Sequence, residues 1–293
     1  MERAGLRSVV ASIVAVLIGA ALAYAGSWSG HRVAGVPIYG VCVGVAFLIQ
    51  WTAFVPAWRN RTEKFYDLTG GLTYITVTLL AVLLTPGVDT RSMMLAGMVI
   101  VWAVRLASFL FLRIRAAGED RRFREIKQSF GRFLVAWTLQ GLWVCFSLAA
   151  ALAVITSTQR LALDVFAGIG SLVWLAGFLI EVISDRQKSA FNAHTPNNGR
   201  FISTGLWSWS RHPNYFGEIV LWIGVATISM PVLRGWQYAT LISPVFIVFL
   251  LTRISGVPLL EERADEKWGG EAEYEAYKAR TSVLVPLPPK TQG

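Results

Sequence analysis

The sequence predicts an all-α protein, a polytopic bundle of about eight transmembrane helices with both termini on the cytoplasmic side. Three observations lead there. Of 293 residues, 54% are apolar and only 15% charged, with a mean hydropathy of +0.51, which is far too hydrophobic for a soluble domain of this length. Apolar segments at about 8–26, 36–58, 67–86, 93–112, 133–156, 163–184, 215–233 and 237–256 each approach the roughly 20 residues that a bilayer crossing needs. With the N-terminus inside, the 27 Lys and Arg fall on inner segments, except Arg32, Arg91, Arg160 and Arg234 outside and Arg105 within a span.

Each segment follows from its own residues. The first begins after Arg3 and Arg7 like a signal peptide, but it is long enough to span and lacks a convincing cleavage site, so a retained helix is expected. The second ends at Arg59, Arg61 and Lys64, and the third opens with Tyr66 and Asp67. Thr85-Pro-Gly-Val-Asp-Thr90 is a short outer turn. The fourth span carries Arg105 and runs into a cationic loop from Arg113 to Arg132, before the fifth. The sixth ends in Glu181, Asp185 and Lys188, spaced four and three apart and therefore on one helix face. Ser210 is placed to cap the seventh, whose first turn holds Pro213, and the eighth precedes an amphipathic cytoplasmic helix folding back under the bundle. One membrane domain over 1–293 is expected, with 257–293 as a cytoplasmic tail packing under the bundle.

Composition also excludes. Cys42 and Cys145 both lie in apolar runs, so neither a disulfide framework nor a cysteine metal site is expected. His31, His194 and His212 have no ligand-like spacing, and no metal is predicted. Nucleotide-binding glycine loops and serine-hydrolase motifs are missing. The net charge of +9 flanks apolar spans, where orientation and membrane lipids account for it; no nucleic acid and no obligate protein partner is predicted.

Chemistry-bearing residues gather on the inner side. An arginine several residues inside a span is costly and normally faces a partner or a wet cavity. With Arg113 and Arg115, Arg105 offers a guanidinium set suited to a phosphorylated ligand. Asp67 reads in two ways, as a helix cap or as a carboxylic acid that hydrogen-bonds a substrate carbonyl, with Tyr66 beside it. Asn214 and Glu218 share a face about one turn inside the membrane.

These residues carry a resemblance. Thr69-Gly-Gly-Leu-Thr-Tyr74, Arg105 through Gly118-Glu-Asp-Arg-Arg-Phe123, Ser184-Asp185, Gly205-Leu-Trp through Glu218, and Glu-Tyr-x-x-Tyr before Leu-Val-Pro together make the chain similar to the membrane-embedded steroid 5α-reductases, especially their bacterial branch. The likeness covers roughly residues 36 to 286, whereas Ser-Arg-His-Pro-Asn-Tyr-x-Gly alone is shared with isoprenylcysteine-type methyltransferases.

The resemblance implies an enzyme of the bacterial inner membrane, with its active site open to the cytoplasm, that uses NADPH to reduce the C4–C5 double bond of 3-oxo-Δ4 steroids entering from the bilayer. It implies that Asn214 and Glu218 hold the nicotinamide end, and that Arg105, Arg113, Asp185, Arg211, His212 and Tyr215 surround the rest. Arg115, Asp120, Arg122, Lys188, Glu262 and Tyr277 are assigned to the same cofactor, and the surplus of guanidinium at Arg113, Arg115 and Arg122 favours NADPH over NADH. Asp67 falls near the family's catalytic acid, with Tyr66 as the second candidate. Two departures stand out: Trp102 occupies the place of the tyrosine that animal members carry three residues before the arginine, and the resemblance implies a seven-span core, which makes 1–30 an extra N-terminal helix. The alternatives are an S-adenosylmethionine-dependent membrane methyltransferase, or an enone or enoyl reductase acting on a non-steroid lipid.

Overall fold

A computed structural model of the protein describes residues 2–117, 120–197 and 199–289. Gly118 and Glu119, and the side chains of Arg3 and Arg121, lie outside the described residues. The chain divides into two units, Met1–Ala167 with Ile228–Ser243, and Gly168–Thr227 with Pro244–Gly293.

The first unit holds α1 (Glu2–Gly26), α2 (Ile38–Arg59), α3 (Tyr66–Leu84), α4 (Thr90–Ala117) and α5 (Phe130–Ile155). Its hub is α5, which packs against the other four. From Ala149 to Ile155 this helix is no more than 1% exposed, because a stretch that is apolar on every side is satisfied only when protein surrounds it. The others turn one flank outward, as Val9, Ile13 and Leu17 do on α1. At Gly71, a Cβ would stand 2.3 Å from that of Ala107, so the glycine lets α3 lie directly on α4. On α4, Arg91 is fully buried, donating to the carbonyls of Ile228 (2.8 Å) and Ala162 (2.7 Å) and pairing with Asp164 at 2.9 Å. One arginine thus ties the start of α4 to the segment 162–164 and to Ile228, where the charge count reads it only as an orientation marker.

Between α1 and α2 sits a hairpin that the sequence did not suggest, β1 (Arg32–Val33) against β2 (Val36–Pro37). Its two turn residues, Ala34 and Gly35, have φ of 48° and 81°, the positive pair that a tight two-residue hairpin requires.

The second unit contains most of α6 (Val165–Ala193) and α7 (Pro213–Ser229), then most of α8 (Ile242–Phe249), and α9 (Val257–Trp268) and α10 (Ala272–Arg280). A Cβ on Gly217 would meet the backbone nitrogen of Glu181 and the carbonyl of Gly177 at 2.6 Å, so α6 and α7 touch backbone to backbone.

Among the described residues, seven helical runs are long and apolar enough to cross a membrane. Three expectations change. The span expected at 215–233 is α7, whose 17 residues leave it at the short end of what a bilayer needs. The last is one run from Gly235 to Trp268, interrupted by a π turn at Leu250–Ile254 and restarted by Pro258. The single amphipathic helix expected in the tail is instead a pair, α9 and α10, broken where Gly270 takes φ of 86°.

Candidate functional site

In the first unit, the start of α3 assembles the candidate acid. The residue capping α3 is Phe65 and no side chain caps it, so Asp67 sits in the first turn without the capping role that was one of its two readings. The Tyr66 ring packs on Phe123 at 4.6 Å and edge-on to Trp137 at 5.1 Å, and its hydroxyl donates to the carbonyl of Ala136 at 2.9 Å. That commits the one phenolic proton to backbone.

The segment after α4 then brings a cation to the acid. Arg122 reaches Asp67 at 3.8 Å and is held by Asp120, which accepts from its Nε at 2.8 Å and from its backbone N–H at 3.0 Å. Burial pushes the Asp120 carboxyl up, but the hydrogen bonds and charge of Arg122 and the charge of Arg113 outweigh it and hold it below the usual carboxylate range. On α4, the guanidinium carbons of Arg105 and Arg113 lie 5.5 and 5.8 Å from the Phe109 ring, so two arginines two turns apart share one aromatic spacer. Arg115, in the last turn of α4, is exposed. Trp102 is buried and packs edge-on against Tyr74 at 5.0 Å, an indole wedged against another ring.

In the second unit, α6 and α7 present the other residues. Asn214 donates through Nδ2 to Asp185 at 3.3 Å, and its Oδ1 is buried without a hydrogen-bond partner among the described residues. Glu181, Asp185 and Glu218 are each less than a tenth exposed. The His212 ring stacks on Tyr215, with centroids 5.8 Å apart, and Lys188 sits 4.5 Å over the Trp207 ring.

The segment before α7 is held from the C-terminal side. Ser210 is not the cap predicted for it: its hydroxyl accepts the His212 N–H at 3.1 Å and donates to the Leu284 carbonyl at 2.8 Å. The Arg211 N–H donates to Ser282 at 2.8 Å, and the Tyr277 hydroxyl to the Trp207 carbonyl at 2.7 Å. Tyr277, assigned to the cofactor from its motif, thus spends its proton on backbone.

The acidic partner from α9 differs from the one expected. Glu262 is exposed, whereas Glu261 pairs with Arg211 at 2.8 Å and with His212 Nε2 at 2.7 Å. Burial pulls the His212 imidazole below its ordinary value, opposed by the hydrogen bond and charge of Glu261. Sequence reasoning missed Glu261, Glu63 and Lys127; the last two form a partly buried ion pair at 2.7 Å. No set of three or more His, Cys, Asp or Glu among the described residues is arranged to hold a metal ion.

Comparison with known proteins gives one family and one relative to report. The family described as a protein of unknown function (DUF1295) matches residues 53–281. The 3-oxo-5-alpha-steroid 4-dehydrogenase 1 of Bos taurus is 30% identical over 118 residues, and the chain spans about 40% of the length of that curated relative, with 40% of its own residues. No solved structure matches.

Proposed function

Because the chain belongs to the DUF1295 family, a steroid 5α-reductase-like family, we propose that it is an NADPH-dependent reductase of the C4–C5 double bond of 3-oxo-Δ4 steroids that enter from the bilayer. The observation that carries this reading is Asp67, a carboxyl in the first turn of α3 whose side chain is only 15% exposed. Conjugate reduction places negative charge on the ketone oxygen, and a donor in a water-poor cavity stabilises that charge far better than solvent does.

The residues fit the cofactor. The unpartnered Oδ1 of Asn214 is an acceptor of the kind a carboxamide N–H requires, and its Nδ2 is already oriented by Asp185. NADPH, when bound, supplies the hydride. Asn214 and Glu218 orient the carboxamide, Asp185, Lys188, Arg211, His212 and Tyr215 bind further along, and Arg105, Arg113, Arg115 and Arg122 offer charge to the phosphates. Asp67 holds the proton that polarises the ketone, and Tyr66 supports it by packing.

Equilibrium titration of the protein in nanodiscs tests the cofactor. NADPH should bind at least about tenfold more tightly than NADH, since a 2′-phosphate gains charge-assisted hydrogen bonds. Equal affinity removes the assignment of the arginines, and binding of S-adenosylmethionine in place of either nucleotide turns the reading to methyl transfer.

A further inference from the structure

The buried carboxylate of Glu63 has no part in the chemistry above. It precedes α3 with a side chain only 2% exposed, in a stretch otherwise rich in exposed cations. Its Oε1 accepts the Asp120 backbone N–H at 3.0 Å and its Oε2 accepts Lys127 Nζ at 2.7 Å. These two contacts bracket the segment that carries Arg122 and Phe123. The segment consists of two three-residue turns, Arg121–Phe123 and Ile126–Gln128, which have too few internal hydrogen bonds to hold a shape alone.

Glu63 also holds the acid's side of this arrangement. Its carbonyl accepts the Tyr66 N–H at 2.8 Å, forming the turn from which α3 starts. One residue therefore fixes the Tyr66–Asp67 turn through its backbone and the Asp120–Lys127 segment through its side chain. Between those anchors lie the Arg122 contact to Asp67 at 3.8 Å and the Phe123 contact to Tyr66 at 4.6 Å. A carboxylate is costly to bury, and both of its oxygens are satisfied here by donors from the segment it positions.

We propose that Glu63, with Lys127 as its counter-ion, is the positioning residue that sets Arg122 and Phe123 against the Tyr66–Asp67 turn. The proposal rests on the reading of Asp67 and Arg122 as working parts of a reductase site. Glu63 touches neither substrate nor cofactor in this account; it acts through Arg122.

A double-mutant cycle in nanodiscs, with hydrogen exchange on the same samples, tests it. Glu63→Gln keeps the shape and an acceptor for the Asp120 N–H but loses the ion pair, and Lys127→Met removes the pair from the other side. Each should weaken NADPH binding by about tenfold, and by less than about twofold when Arg122→Gln is already present, because a residue acting through another loses its effect once that one is gone. Both should also speed amide exchange across residues 120–128. An equal loss of affinity with and without Arg122→Gln makes Glu63 general structural support and overturns the proposal. Unchanged exchange at 120–128 overturns it even if wild type fails to bind NADPH, a result that would by itself count only against the reductase reading.

Discussion

Arg122 lies 3.8 Å from Asp67, so the arginine assigned to a phosphate and the carboxyl assigned to a ketone are neighbours at the mouth of α3. Binding and chemistry are therefore adjacent there, yet they separate by substitution. Asp67→Asn keeps the shape but loses the transferable acid proton, and should cut turnover by about 10²–10⁴, the range for a lost acid–base group. NADPH affinity, measured by fluorescence titration on the same protein, should change little. Turnover within a factor of two of wild type would remove Asp67 from the mechanism.

Tyr66→Phe is expected to behave differently. The hydroxyl is bonded to the Ala136 carbonyl at 2.9 Å, so its loss removes a support and leaves the proton source in place. Turnover should fall less than about tenfold, as for one lost neutral hydrogen bond. If Tyr66→Phe abolished turnover while Asp67→Asn kept it, the acid would be the tyrosine.

His212 gives a pH prediction. Its folded pKa lies below the ordinary value because it is buried, so the unfolded chain takes up the proton more readily. The stability that this histidine contributes is complete above about pH 6.5 and is lost as the pH falls through the folded value. The thermal midpoint in detergent should drop between pH 7.5 and 5.5, and less so in His212→Asn. Equal drops in the two proteins would contradict the assignment.

Patterns local in sequence were legible, and pairings across it were not. The apolar runs and the first-turn position of Pro213 follow from composition and spacing within a helix turn. Glu63 is 64 residues from Lys127, and Arg91 is 137 from the Ile228 carbonyl; no local pattern encodes either. Glu261 and Glu262 are identical to a reader of sequence, but consecutive helix residues point about 100° apart, and only the first faces Arg211 and His212. Ser210 has the residue type of a cap, yet it lies three residues before the start of α7 at Pro213, and its hydroxyl bonds the His212 N–H and the Leu284 carbonyl. The short α7 and the π turn in the last run were hidden because hydropathy measures apolar length and is blind to backbone geometry.

The central claim is hydride transfer to an enone, and isotope transfer tests it most directly. The protein in nanodiscs is given progesterone and NADPH carrying deuterium at C4 of the nicotinamide, on one face or the other, and the steroid product is analysed by mass spectrometry. The account predicts a 4,5-dihydro product with one deuterium at C5, from only one of the two labelled faces, because a positioned carboxamide presents a single hydride. Unreduced steroid, or a reduced product with no deuterium from either face, would contradict it.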